Sequence, residues 1–147
     1  MTRLDACTAA ALAALAIVAA PARAADPGAE AARAYTVETG ASTSAVKLGE
    51  PGKLVVVIKP IAPGWHVHPQ APLKIRFAAP AALKLDKPEL SRRDVVDPKA
   101  DAPRFETSFV ASQPGAQDAK ASLDFFICSD AACVKQEKIV SIPVTVK

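Results

Sequence analysis

Short runs of alternating apolar and polar residues, separated by turn residues, restrict this chain to a β architecture more than any other feature does. In residues 73–77, Leu73, Ile75 and Phe77 fall on one face of an extended segment and Lys74 and Arg76 on the other. Comparable runs cover residues 34–38, 44–48, 53–59, 65–68, 104–111, 119–128 and 133–146, with no i, i+3, i+4 apolar stripe between them. The thirteen prolines belong to turns and edge strands rather than helix interiors. Residues 54–58 are apolar at every position, as in a strand covered on both faces. Two packed antiparallel sheets bury such faces. The expected fold is therefore all-β, an immunoglobulin-like antiparallel β-sandwich over residues 34–147.

The N-terminus sets the compartment. Arg3 precedes an Ala/Leu/Ile/Val run over residues 6–20, and Ala22-Arg23-Ala24 offers the small-x-small pattern of a cleavage site. Residues 1–24 read as a cleavable signal peptide; as a membrane anchor the run falls short of the ~20 residues a bilayer requires. Cys7 lies before the apolar run, not after it as a lipidated cysteine would, so it leaves with the signal. Residues 25–33, rich in Ala, Pro and Gly, read as a flexible leader. The exported chain keeps Cys128 and Cys133, an even number suited to an oxidising periplasm. Sixteen basic residues against fourteen acidic ones remain, too even a balance for nucleic-acid binding. No later segment is apolar enough to span a membrane, and the length suits one domain, expected as a monomer.

Cys128 and Cys133 flank a four-residue loop between the last two long runs. Alternation puts Ala121, Leu123, Phe125 and Ile127 on a core face and Cys128 on the more polar one. In the last strand Val140, Ile142, Val144 and Val146 face the core, which leaves Cys133 with Lys135, Glu137, Ser141 and Thr145. As facing residues across a hairpin the two can form a disulfide. The ring has six residues, and its closure contributes only about 2 kcal/mol in the chain-entropy treatment. A tip position also leaves sulfur open to thiol-disulfide exchange. A structural staple is the alternative, in a non-catalytic binding or assembly domain.

Residues 90–103 form a charged, aperiodic stretch long enough to be a functional loop. Its Asp94, Asp97 and Asp101, with Glu106 beyond, match no calcium-loop spacing. His66 and His68 fall on one face of an extended segment, the spacing of a metal-ligand pair, so metal binding with the two thiols is a further alternative. Strand-surface histidines, with Trp65 and Val67 packed inward, are the simpler reading. No phosphate loop or serine-nucleophile elbow is present, and no cofactor is expected.

The stretch GWHVHPQAPLKIRF (residues 64–77), the long polar loop and FFICSDAACVKQEKIVSIPV (residues 125–144) together resemble the periplasmic N-terminal domain of the thiol-disulfide interchange protein DsbD. The resemblance runs from about residue 53 to residue 146. It implies an immunoglobulin-like module that passes reducing equivalents through a cysteine pair. Cys133 would form the mixed disulfide and Cys128 would resolve it. It also implies that residues 92–100, with Asp94, Val95, Val96 and Asp97 at their centre, cap the pair. The family's cap often presents aromatic residues where this chain has Val95 and Val96. The partners implied are thioredoxin-fold periplasmic oxidoreductases and a membrane electron relay on another chain.

Overall fold

The two longest strands form the spine of the molecule. Strand β9 (Gly115–Cys128) and strand β10 (Cys133–Val146) pair antiparallel over fourteen residues each, from Gly115 opposite Val146 to Cys128 opposite Cys133. The computed structural model describes residues 26–147, so the signal reading of residues 1–24, with Cys7, lies outside the described residues. The remaining elements are α1 (Pro27–Arg33), β1 (Tyr35–Glu38), β2 (Ala45–Val46), β3 (Pro51–Pro60), β4 (His66–Val67), β5 (Lys74–Ala78), β6 (Leu83–Leu85), β7 (Glu89–Ser91), a 3-10 turn (Arg92–Asp94) and β8 (Arg104–Ala111).

One sheet runs β1-β3-β8-β6 and the other β2-β10-β9-β5-β7, with β4 also paired to β9. Their inner faces meet in a single core that includes Leu54, Ile58, Ile75, Phe105, Phe109, Leu123, Phe125, Ile127 and Ile142. The alternation of residues 73–77 is realised directly, with Ile75 and Phe77 buried and Lys74 and Arg76 exposed. The same holds for β9, where Ala121, Leu123, Phe125 and Ile127 all point inward. Strand β3 is buried on its outer face as well at Val55, and beyond the end of β1 the Ser42 hydroxyl takes up the edge of the strand by bonding the Val55 N–H (2.8 Å) and C=O (3.1 Å). Val67 is buried and Trp65 packs against the core, as their pattern requires. The fold is thus an all-β sandwich of immunoglobulin-like type. Among the described residues no helix is long and apolar enough to cross a membrane.

Three expectations need correction. First, β2 runs parallel to β10, so one short pairing breaks the antiparallel rule. The chain crosses from the first sheet to reach β10, and partners that are not consecutive in sequence are free to align in parallel. Second, residues 27–33 are not a flexible leader but a helix packed against β10 and β1. The Asp26 carboxylate accepts from the Gly28 N–H at 3.0 Å, Pro27 opens the helix, and Ala31 is fully buried. An aspartate N-cap followed by proline starts a helix, and alanine allows the close approach that a bulky residue would prevent. Third, the stretch starting at residue 90 opens in regular structure, since Leu90 is the buried centre of β7 and the 3-10 turn follows.

Candidate functional site

The hairpin tip at residues 129–132 brings the cysteines together. The Ser129 N–H donates to the Ala132 carbonyl at 2.8 Å. The next pair along the ladder, Cys128 and Cys133, is therefore a non-hydrogen-bonded pair, the kind in which side chains approach most closely. Their Cα atoms are 4.0 Å apart and the sulfurs are joined in a disulfide. Cys133 is exposed on the outer face with Lys135 and Glu137, as alternation requires.

Cys128 lies on that same face but is only 2% exposed. Strand alternation assigns a face and says nothing of what covers it. The cover comes from β4, which runs along the other side of β9 and sets His66 opposite Cys128 and Val67 opposite Ile127. The His68 N–H continues the ladder by donating to the Phe126 carbonyl at 2.9 Å. A His68 ring nitrogen and the two sulfurs then lie within 4.8 Å of one another. The disulfide is accordingly asymmetric, joining an exposed residue, Cys133, to Cys128, which is enclosed between β10 and β4.

The His68 ring has a defined hydrogen-bonding state. Its Nδ1 accepts from the Gln70 N–H at 3.1 Å and the Ala71 N–H at 2.8 Å. An imidazole nitrogen that accepts in this way carries no proton, so the ring hydrogen of the neutral form sits on Nε2. Ligation of a metal through Nε2 needs the opposite arrangement, a lone pair on Nε2 and the hydrogen on Nδ1. Of the proposed histidine pair, His68 converges on the sulfurs, while His66 is exposed and lines a separate cavity with Arg92, Val95 and Asp97.

The loop expected to cap the disulfide shares a cavity with His66, Val67 and Pro69. Asp94 caps its own 3-10 turn, accepting from the Ser91 N–H (2.8 Å) and hydroxyl (3.1 Å) and from the Lys87 ammonium. Lys87 and then the Ser91 amide hold its carboxyl below the usual carboxylate range. Val95 bridges to Phe105 and packs on the core. The Val96 N–H donates to the Arg104 carbonyl at 2.9 Å while its side chain is exposed. Asp97 accepts from the Lys99 N–H at 2.9 Å and lines the cavity beside His66. The loop is tied to the segment that carries His68 by Arg92, whose Nε donates to the Ala71 carbonyl at 2.9 Å.

No free cation stands over Cys133 from its own strand. The Lys135 ammonium is paired with Glu137 and lies 3.7 Å from Asp124, and Glu137, then Asp124, raise its pKa. Asp124 is also bridged to Arg76 at 2.7 Å. The sequence favours a strand surface for His66 and His68 and offers their convergence with the thiols as an alternative, and the structure brings His68 alone to the disulfide. That pairing joins segments about sixty residues apart, and no local pattern encodes it.

No protein-family model matches the chain, and neither does any curated protein. Among solved structures, a conjugative transposon lipoprotein from Bacteroides eggerthii is 13% identical over 76% of this chain and 97% of its own, with a TM-score of 0.41. A conjugate transposon protein from Bacteroides vulgatus is also 13% identical, over 76% and 83% of the two chains, with a TM-score of 0.42. The CooA pilin subunit of enterotoxigenic Escherichia coli is 10% identical over 78% and 99%, with a TM-score of 0.34. Likenesses this distant carry no inference about function.

Proposed function

We propose that the protein is an exported thiol-disulfide exchange module that passes reducing equivalents through Cys128 and Cys133 to or from thioredoxin-fold partners in the periplasm. The observation that carries this reading is the asymmetry of the disulfide, with Cys133 exposed and Cys128 enclosed at the tip of a hairpin. The β9–β10 register is fixed over its whole length by backbone pairing. A bond across its last pair adds about 2 kcal/mol by loop closure, a small return for a staple.

The exchange step follows from access. A partner thiolate attacks the Cys133 Sγ in line with the S–S bond, that bond breaks, and the electron pair leaves on the Cys128 Sγ. A second partner thiolate then attacks its own sulfur in the mixed disulfide and releases Cys133. Two electrons enter the pair, and solvent supplies the protons. Donation to an oxidised partner is the reverse, with Cys133 as nucleophile and Cys128 as the resolving thiol. This chemistry requires a dithiol on one side and a disulfide on the other, and the resemblance implies a thioredoxin-fold oxidoreductase and a membrane electron relay on another chain in those places.

The second reading, a non-catalytic binding or assembly domain, draws on the burial of Cys128, which shields half of the disulfide from reductants. Direct transfer separates the two. Reduced protein mixed with an oxidised thioredoxin-fold oxidoreductase is expected to become oxidised at Cys128 and Cys133 in one-to-one stoichiometry, read by alkylation and residue-resolved mass spectrometry. No transfer, with the partner fully active on a control dithiol, would assign the disulfide to the second reading.

A further inference from the structure

We propose that His68 assists the exchange by donating a hydrogen bond from Nε2 to the Cys128 thiolate as the disulfide opens, an inference that rests on the exchange reading above. Three observations converge on it. The His68 ring stands against the disulfide, with a ring nitrogen and both sulfurs inside 4.8 Å. The amides of Gln70 and Ala71 occupy Nδ1 at 3.1 and 2.8 Å and so fix the hydrogen on Nε2. Cys128, the sulfur that receives the electron pair, is 2% exposed and has almost no access to water.

The third point creates the need. A thiolate released into an enclosed site loses hydration and becomes a poorer leaving group unless a donor replaces the water. The nearby ammonium of Lys135 is engaged by Glu137 and Asp124. The imidazole N–H therefore takes the role, and it does so as a hydrogen-bond donor with no net proton transfer. In the forward step the bond between Cys133 and Cys128 breaks, the electron pair goes to Cys128, and an Nε2–H bond to that sulfur forms. In the reverse step the same bond lowers the pH at which Cys128 becomes a thiolate able to resolve a mixed disulfide. The arrangement also explains the turn at residues 69–71, which directs two backbone amides at one ring nitrogen.

The stabilisation belongs to the reduced form, which gives the sign of the effect on the equilibrium. Removing the donor destabilises the dithiol and makes the disulfide harder to reduce. The experiment compares the wild-type protein with His68→Phe and His68→Gln, the second of which keeps an N–H at about the reach of Nε2. Three quantities are read: the rate of reduction by glutathione, the equilibrium constant against the glutathione couple, and the pH dependence of thiolate absorbance in the reduced protein. His68→Phe is expected to slow reduction about tenfold, the scale of one hydrogen bond to a charged group. It should lower the equilibrium constant about tenfold, or about 30 mV, and move the thiolate titration to higher pH.

His68→Gln, with an unaltered fold by near-UV circular dichroism, should recover most of each change. Loss of packing alone would leave the thiolate titration in place. A folded His68→Phe protein with wild-type rate, equilibrium and titration would overturn the assignment while leaving the exchange reading intact, and so would a His68→Gln protein as impaired as His68→Phe. A wild-type disulfide that glutathione cannot reduce at all would overturn the exchange reading itself, and this inference with it.

Discussion

Cys133→Ala is expected to abolish mixed-disulfide formation with a thioredoxin-fold protein, whereas Cys128→Ala accumulates it. Exposed Cys133 retains its thiol in the second variant and attacks the partner's disulfide, Cys128 is no longer there to resolve the product, and alkylation of the partner's freed thiol blocks the one remaining route of release, its back-attack. In the first variant the remaining sulfur is enclosed by β4 and His68, so a partner large enough to carry a redox motif cannot align on it. Exchange depends on attack along the S–S axis and hence on access, so the yields should differ at least about tenfold. The check is non-reducing electrophoresis of each variant after incubation with an oxidised thioredoxin-fold oxidoreductase, with the adduct mapped by mass. Reaction of Cys128 with a thiol reagent after unfolding confirms that the silent variant carries an intact thiol. Equal adduct from both variants would remove the asymmetry on which the roles of the two cysteines rest.

The largest loss of stability is expected at Phe125, three residues back along β9 from Cys128. Its side chain is fully buried, the Tyr35 ring meets it edge-on with centroids 5.0 Å apart, and the Tyr35 hydroxyl donates across the core to Gln136 Oε1 at 3.2 Å. Tyr35 belongs to the first sheet and Gln136 to the second, so this cluster joins the two layers beneath the outer face that carries the cysteines. Burial pushes the Tyr35 phenol pKa up, which keeps it neutral as the donor. Phe125→Ala removes the ring and leaves a cavity that β9, paired on both sides, cannot collapse to fill. The cost should be about 4 kcal/mol, read as a large fall in the urea midpoint at unchanged slope. Ile139→Ala, exposed on the outer face of β10, should stay within about 0.5 kcal/mol. A Phe125→Ala protein that unfolds within about 1 kcal/mol of wild type would contradict the packing described.

Much of this was legible in the sequence, and the rest was hidden for identifiable reasons. The alternation in residues 73–77 and in β9 and β10 assigned inner and outer faces, and the spacing of Cys128 and Cys133 placed them across a hairpin. Strands β6 and β7 went unseen because each is three residues long and set among prolines. They are held by backbone bonds such as the Phe77 N–H to the Pro88 carbonyl at 2.8 Å rather than by a pattern of side chains. Helix α1 carried its start signal in Asp26 and Pro27, but its buried contact is made by alanine, which marks no face in a sequence already rich in it.

The site divides in the same way. The disulfide follows from local spacing, while the enclosure of Cys128 depends on β4 lying against β9, a pairing between distant segments. The loop around Asp94 and Val95 was visible as long and charged. Its anchorage to Phe105 and to Ala71 depends on tertiary contacts that composition does not encode.

The exchange reading stands or falls most directly on the equilibrium reduction potential of Cys128 and Cys133, titrated against glutathione and read by alkylation and mass of the peptide containing both. A value between about −180 and −270 mV, the range of exchange-active dithiols, is the result expected of an electron carrier. A value below about −300 mV, or no alkylation short of unfolding, would mean that the bond is a structural pin and that function lies on another surface.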